Sequence, residues 1–210
     1  MSDPRLSRER LLEALAGVTR ILVEKEISAR LYIVGGAAMS LQYNARDATR
    51  DIDARYYPKE AVADAALQVA REYGLPVDWL NDEAAMFISP VIDDENPILI
   101  MSKGAVTIHV ASAQVLLAMK IRASRPGRDA PDIKFLCKFL KLKSIAQAIK
   151  VFESYYPEDP LPNRALPILQ SIFPEDGDAS FSLQNSNLHL TTRKQKQKRP
   201  FPSPDEEIDL

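Results

Sequence analysis

The stretch 31-LYIVGGAAMSLQYNARDATRDIDARYY-57 decides how this chain is read. Leu31 to Val34 is a short apolar run suited to a buried strand, and the pair Gly35-Gly36 ends it and opens a helix. That helix carries Ala37, Ala38 and Leu41 inward, with Tyr43 beyond them. Asp51 to Tyr56 then has the alternating character of a half-buried strand. A strand repeats every two residues, so Asp51 and Asp53 turn their carboxylates to one face.

Upstream, Leu11, Leu15, Val18 and Leu22 recur at helical spacing. They predict an amphipathic helix over Leu6 to Lys25, with Asp3-Pro4 or Ser7 at its start. Downstream, Pro58 opens a helix with a small-residue face of Ala61, Val62, Ala65, Ala66 and Val69, stopped at Tyr73-Gly74. Val77 to Leu80 reads as a strand, and Ile98 to Met101 and Val106 to Val110 flank a hairpin turn at Ser102-Lys103-Gly104. From Ser112 the pattern is helical. Ser112 caps a helix through Arg122, and Pro131 to Lys141 sets Ile133, Leu136, Cys137 and Leu140 in register. Ser144 starts another helix, and Ala165 to Phe173 is the last.

The expected fold class is therefore α+β, a mixed sheet flanked by helices over residues 1–111 and a helical region over 112–174 packed on that core. Residues 175–210 are rich in Glu, Asp, Ser, Asn, Gln, Lys and Pro and hold too few apolar residues to offset the entropy of ordering. They are expected to be a disordered tail.

With 210 residues, 46% of them hydrophobic, the chain can bury a substantial core. Its net charge of -2 makes any nucleic-acid contact a matter of local patches. The single cysteine, Cys137, excludes an internal disulfide and reads as core filler in a reducing compartment. No run of about 18 apolar residues is present, so a cytoplasmic protein without a membrane span is expected.

Glycines at a helix start let a ligand approach backbone N–H groups, which makes Gly35-Gly36 a candidate phosphate cradle; the bland alternative is a steric need at a strand-to-helix turn. Two carboxylates on one strand face repel one another unless a cation relieves them. Mg²⁺ is commonly held by one or two carboxylates together with substrate phosphates, which suits Asp51 and Asp53. Arg46, Arg50 and Arg55 are the competing source of relief.

The string GGAAMSLQY…ARDATRDID resembles the core motif of the minimal nucleotidyltransferase superfamily, especially its AbiEii-type toxin branch, whose catalytic core is like that of DNA polymerase beta. AQVLLAMKIRASRPGRDAPDIKFL is similar to that branch's downstream pattern, a helix lysine followed by Arg-Asp-x-x-Asp. The resemblance implies a nucleotidyltransferase-like sheet in which Asp51 and Asp53 carry the catalytic metal and Gly35, Gly36, Arg50 and Lys120 bind an NTP. It makes Lys120 the family's conserved lysine, in contact with phosphate or supporting the acids, and Asp129 or Asp132 the last acidic motif. A snorkelling surface role for Lys120 and a helix N-terminus at Asp129-Ala130-Pro131-Asp132 are the structural alternatives.

One departure stands out. The family adds a third carboxylate from a neighbouring strand, where this chain has Thr107 and His109. Asp78 is the substitute expected here, with Asp82 behind it. The implied activity is Mg²⁺-dependent transfer of a nucleotidyl group to an acceptor hydroxyl on RNA such as tRNA, or on protein, in a toxin–antitoxin or phage-defence setting with a cognate antitoxin. The alternative is a catalytically inactive nucleotide-binding or partner-binding module on the same fold. A third reading lets the basic run Arg193, Lys194, Lys196, Lys198 and Arg199 attract RNA. His109, Trp79 and the Tyr56-Tyr57 and Tyr155-Tyr156 pairs read first as packing residues.

Overall fold

Helix α1 (Arg8–Glu24) starts at Ser7, whose hydroxyl accepts from the Arg10 N–H, and buries Leu11, Leu15, Val18 and Leu22 along one stripe. In this computed structural model, residues 5–45, 47–89, 97–125 and 127–176 are described. Just before α1, the two-residue strand β1 (Leu6–Ser7) pairs antiparallel with β3 (Ala48–Thr49). This small ribbon ties the loop ahead of Asp51 to the base of α1, and such short strands leave no periodicity to read.

The main sheet is mixed, in the order β5-β4-β2-β7-β6, built from β2 (Ala29–Ile33), β4 (Ile52–Tyr57), β5 (Leu80–Asn81), β6 (Ile98–Lys103) and β7 (Val106–Val110). β2 runs antiparallel to β4 and parallel to β7. Register pairs Leu31 with Tyr56 and Ile108, and Ile33 with Ala54 and Val110, and all six are buried. Side chains directly opposite share a face, so this is the apolar side. α1 and α3 (Lys59–Tyr73) cover it. Gly17 marks their contact, since a methyl group there would come within 2.9 Å of the Tyr73 ring. Asp53, Arg55 and Tyr57 take the opposite face, as the alternation predicts.

α2 (Gly35–Leu41) connects β2 to β3, with Ala37, Ala38 and Leu41 buried and the Tyr43 hydroxyl donating to the Ala111 carbonyl at 3.1 Å. α4 (Ala113–Ala123) begins at Ser112, whose hydroxyl accepts from Val115. It packs against α5 (Ala130–Phe139) and α6 (Ile145–Tyr155), and α7 (Ala165–Ile172) follows on α6. Seven α-helices are thus present among the described residues. None is long and apolar enough to cross a membrane.

Two expectations need correction. The strand foreseen over Val77 to Leu80 shrinks to Leu80–Asn81, because Pro76 to Trp79 forms a turn closed by the Trp79 N–H on the Pro76 carbonyl. The turn leaves Val77 73% exposed and sinks the Trp79 ring completely, where its Nε1–H donates to the Ala66 carbonyl at 3.0 Å. Burying an indole whose N–H is satisfied outweighs the strand preference of one valine. The hairpin turn falls on Gly104 and Ala105, with Ser102 and Lys103 inside β6. Of the expected disordered tail over 175–210, Glu175 and Asp176 belong to a 3-10 turn (Pro174–Asp176), and the rest, with its basic run, lies outside the described residues.

Candidate functional site

The bend after β2 decides the local geometry. Gly35 has φ +66°, a conformation costly to residues with a Cβ, and a Cβ built on it would lie 3.0 Å from Asp53 Oδ2. The Val34 N–H donates to the Asp53 carbonyl at 2.9 Å and locks the bend to β4. Glycine therefore serves twice here, allowing the backbone to turn and letting a carboxylate oxygen lie against the turn.

Asp51 immediately precedes β4 and is half-buried, like Asp53. Burial pushes the Asp53 carboxyl above its ordinary range, and the charge of Asp51 pushes it the same way. Glu83 adds to this, while Arg128 and Arg125 act against it. The two aspartates thus interact electrostatically, as their spacing predicts.

A cleft of about 580 Å³ opens beside this bend. Gly35 and Asp53 line it from the sheet side, Met119, Lys120, Arg122, Ala123 and Arg125 from α4 and its C-terminal extension, and Glu83, Ala84 and Phe87 from a 3-10 turn (Glu83–Phe87). The size suits a small-molecule ligand. Sequence reasoning missed Glu83, Arg125 and Phe87. A five-residue 3-10 turn has no periodic signal, though the acidic pair Asp82-Glu83 was a hint that a carboxylate other than Asp78 stood near.

The remaining expected residues fall in different places. Asp78 is exposed in the turn before β5 and does not line the cleft, and Asp82 pairs with Lys59 at 2.7 Å. Glu83 is the carboxylate that the segment contributes to the cleft instead. Arg50 is exposed and is not part of the lining; neither is Gly36, which sits in the first turn of α2. His109 on β7 is half-buried, with its pKa lowered by burial and by Arg30, and it too is outside the lining. Arg46 lies outside the described residues.

Lys120 is 5% exposed, which rules out the snorkelling alternative. Its Nζ pairs with Asp129 Oδ1 at 2.9 Å and with Asp132 Oδ2 at 2.8 Å. Asp129 Oδ2 also accepts from the backbone N–H and Nε of Arg125, each at 2.9 Å. Burial alone would raise the Asp129 pKa, but the bonds from Arg125 and the charge of Lys120 overcome it and bring the carboxyl down to about 2. Asp129 sits at the N-terminus of α5 without making a side-chain cap, and Asp132 lies in the first turn. Neither aspartate lines the cleft; both reach it through the cations Lys120 and Arg125.

Among the described residues no group of three or more His, Cys, Asp or Glu side chains is placed to hold a metal ion. The donor chemistry of Asp51 and Asp53 still fits Mg²⁺, which takes one or two carboxylates and completes its shell with water and phosphate oxygens. Their mutual repulsion is the electrostatic deficit that a cation relieves. Cys137 is buried with its thiol pushed up to about 12, as inert as its apolar register predicts. Comparisons with family models, curated proteins and solved structures give no match to this chain.

Proposed function

We propose that the chain is a Mg²⁺-dependent nucleotidyltransferase that moves a nucleotidyl group from an NTP to an acceptor hydroxyl. The observation that carries this reading is the Asp53 carboxylate lying against the positive-φ Gly35 bend, at the wall of a cleft that also holds Glu83, Lys120 and Arg125. On this reading the mixed sheet is nucleotidyltransferase-like, residues 1–111 form its core, and the helices of 112–174 form a bundle packed on it. The resemblance of the two sequence blocks adds tRNA or protein as acceptor, and a toxin role with a cognate antitoxin.

Asp51 and Asp53 would hold the metal, and Gly35-Gly36 would leave the backbone open to the triphosphate. Bound there, Mg²⁺ supplies charge neutralisation on the phosphate oxygens and acidifies the acceptor hydroxyl. The acceptor oxygen forms its bond to the α-phosphorus as the bond to the β-phosphate oxygen breaks, and pyrophosphate leaves. Arg122 and Arg125 place positive charge beside the departing anion. The acceptor's proton passes to Glu83, the cleft carboxylate that this reading does not assign to the metal. Lys120, held by two aspartates, keeps the cleft wall in place.

Incubation with Mg²⁺, labelled NTPs and tRNA or total protein is expected to yield labelled acceptor. The label should vanish in the Asp51→Ala/Asp53→Ala double variant, and equal labelling by that variant would sink the proposal. A second reading, an inactive nucleotide-binding or partner-binding module, is favoured by the lack of a three-acid group among the described residues. Calorimetry separates the two: NTP binding without pyrophosphate release supports the module, and no NTP binding rejects both the transferase and a nucleotide-binding module.

A further inference from the structure

We infer that Phe87 and Met119 form a stacking subsite in the cleft for the flat heteroaromatic ring of a nucleotide. The inference rests on the nucleotidyltransferase reading and extends it to the base. Phe87 is 54% exposed, yet it lines a cleft whose other members include Asp53, Arg122 and Arg125. A phenyl ring left in water beside charged groups gains apolar contact once a ligand covers it.

The backbone under that ring is fixed from two sides. The Tyr156 hydroxyl donates to the Phe87 carbonyl at 2.7 Å, and Arg55 Nη2 donates to the Ala85 carbonyl at 3.4 Å. Beyond the turn, the Ser89 hydroxyl donates to the Tyr155 carbonyl. Tyr156 is itself only 2% exposed and stacks on Phe152, and the Arg122 guanidinium carbon lies 4.8 Å from its ring centroid. Arg122 is in turn held by Asp159 at 2.6 Å. One chain of contacts therefore links a cleft cation, a buried tyrosine and the carbonyl of an uncovered aromatic residue. A ring whose backbone is anchored this firmly but whose face is left open is a preorganised surface. The rest of its apolar surroundings in the cleft, Ala84 and Ala123, are small and leave room beside it.

A ligand that fills both parts of one cavity of about 580 Å³ needs a flat apolar ring and a phosphate-rich, metal-binding portion, which a nucleoside triphosphate combines. Base stacking on an aromatic side chain tolerates every base, so the subsite adds affinity with little base preference.

Titration calorimetry with Mg²⁺ and either ATP or inorganic tripolyphosphate tests the subsite. Phe87→Ala is expected to weaken ATP about tenfold and to leave tripolyphosphate unchanged. Tyr156→Phe should shift ATP in the same direction by less. In Phe87→Trp, ATP should quench the new indole while tripolyphosphate does not, against a constant background from the buried Trp79. Tripolyphosphate binding as tightly as ATP, or Phe87→Ala binding ATP as the parent does, would overturn the subsite and leave the transferase reading standing. Binding of neither ligand would overturn both.

Discussion

Two aspartates near one cleft titrate in opposite directions. Asp53, on the sheet, is half-buried, and burial together with the charge of Asp51 raises its proton affinity. Asp129, on the helical side, is fully buried, yet its pKa is lowered to about 2 because Arg125 and Lys120 bind its charged form. Burial sets the sign at Asp53, while at Asp129 the neighbouring cations reverse it. The helical side balances its charges internally, while on the sheet side the Asp53 carboxyl stays raised despite Arg128 and Arg125. That difference separates a structural ion cluster from a candidate binding site.

The largest test breaks the balanced side. Replacing Lys120 by Met leaves Asp129 and Asp132 buried without the cation they share. Removing one partner of a buried pair costs about 3–5 kcal/mol, so Lys120→Met should lower the stability in urea by roughly that amount. Arg125 still binds Asp129, which places the loss nearer the lower figure. A stability within about 1 kcal/mol of the parent would mean that solvent, and not Lys120, carries those charges.

Next in size is the pH dependence, where the two aspartates should pull in opposite senses. Asp129 has its folded pKa near 2 against an ordinary 3.8, so its contribution is present above about pH 4 and is lost as pH falls through 2. The shift corresponds to about 2 kcal/mol. Asn at this position should flatten the acid limb of a stability–pH curve. Asp53 has a raised folded pKa, so its contribution is present below the ordinary 3.8 and is lost as pH rises through the folded value. Asp53→Asn should accordingly raise stability near neutral pH. If both variants shift the curve alike, the assigned asymmetry is wrong.

Much of this arrangement was legible in residues alone. The helical stripes, the serine starts at Ser7, Ser112 and Ser144, and the strand alternation that turns Asp53 away from the apolar face all follow from short-range periodicity and capping, whereas Asp51 falls one residue outside β4 and off the cleft lining. What was illegible depends on long-range packing. The 3-10 turn that brings Glu83 and Phe87 to the cleft has no repeat of its own and is held by Tyr156 and Arg55. Asp78 was the carboxylate expected from this segment, but it is exposed in the turn whose Trp79 ring is buried. Lys120 was identified, but its two partners were read as separate site residues because spacing shows proximity and not which charge is shared.

The smallest stability effect sharpens the sheet side most. Gly35 and Gly74 adopt nearly the same backbone, φ +66° and +64°, but a Cβ at Gly35 would meet Asp53 Oδ2 at 3.0 Å, whereas at Gly74 it meets nothing within 4 Å. Alanine at either position incurs the left-handed strain of about 1 kcal/mol, so the two variants should unfold at similar denaturant concentrations. Their ligand behaviour should part. Gly74→Ala, at the C-terminus of α3, should bind Mg²⁺ with ATP as the parent does, while Gly35→Ala must move the Asp53 carboxylate by a few tenths of an ångström and should lose nucleotide binding and transfer together. Displacement on that scale uses up most of the roughly half an ångström of error that a catalytic constellation tolerates. Equal ligand binding by both variants would show that the contact between the bend and Asp53 is packing, and the negative pair would then have to be balanced by Arg125 and Arg128 alone.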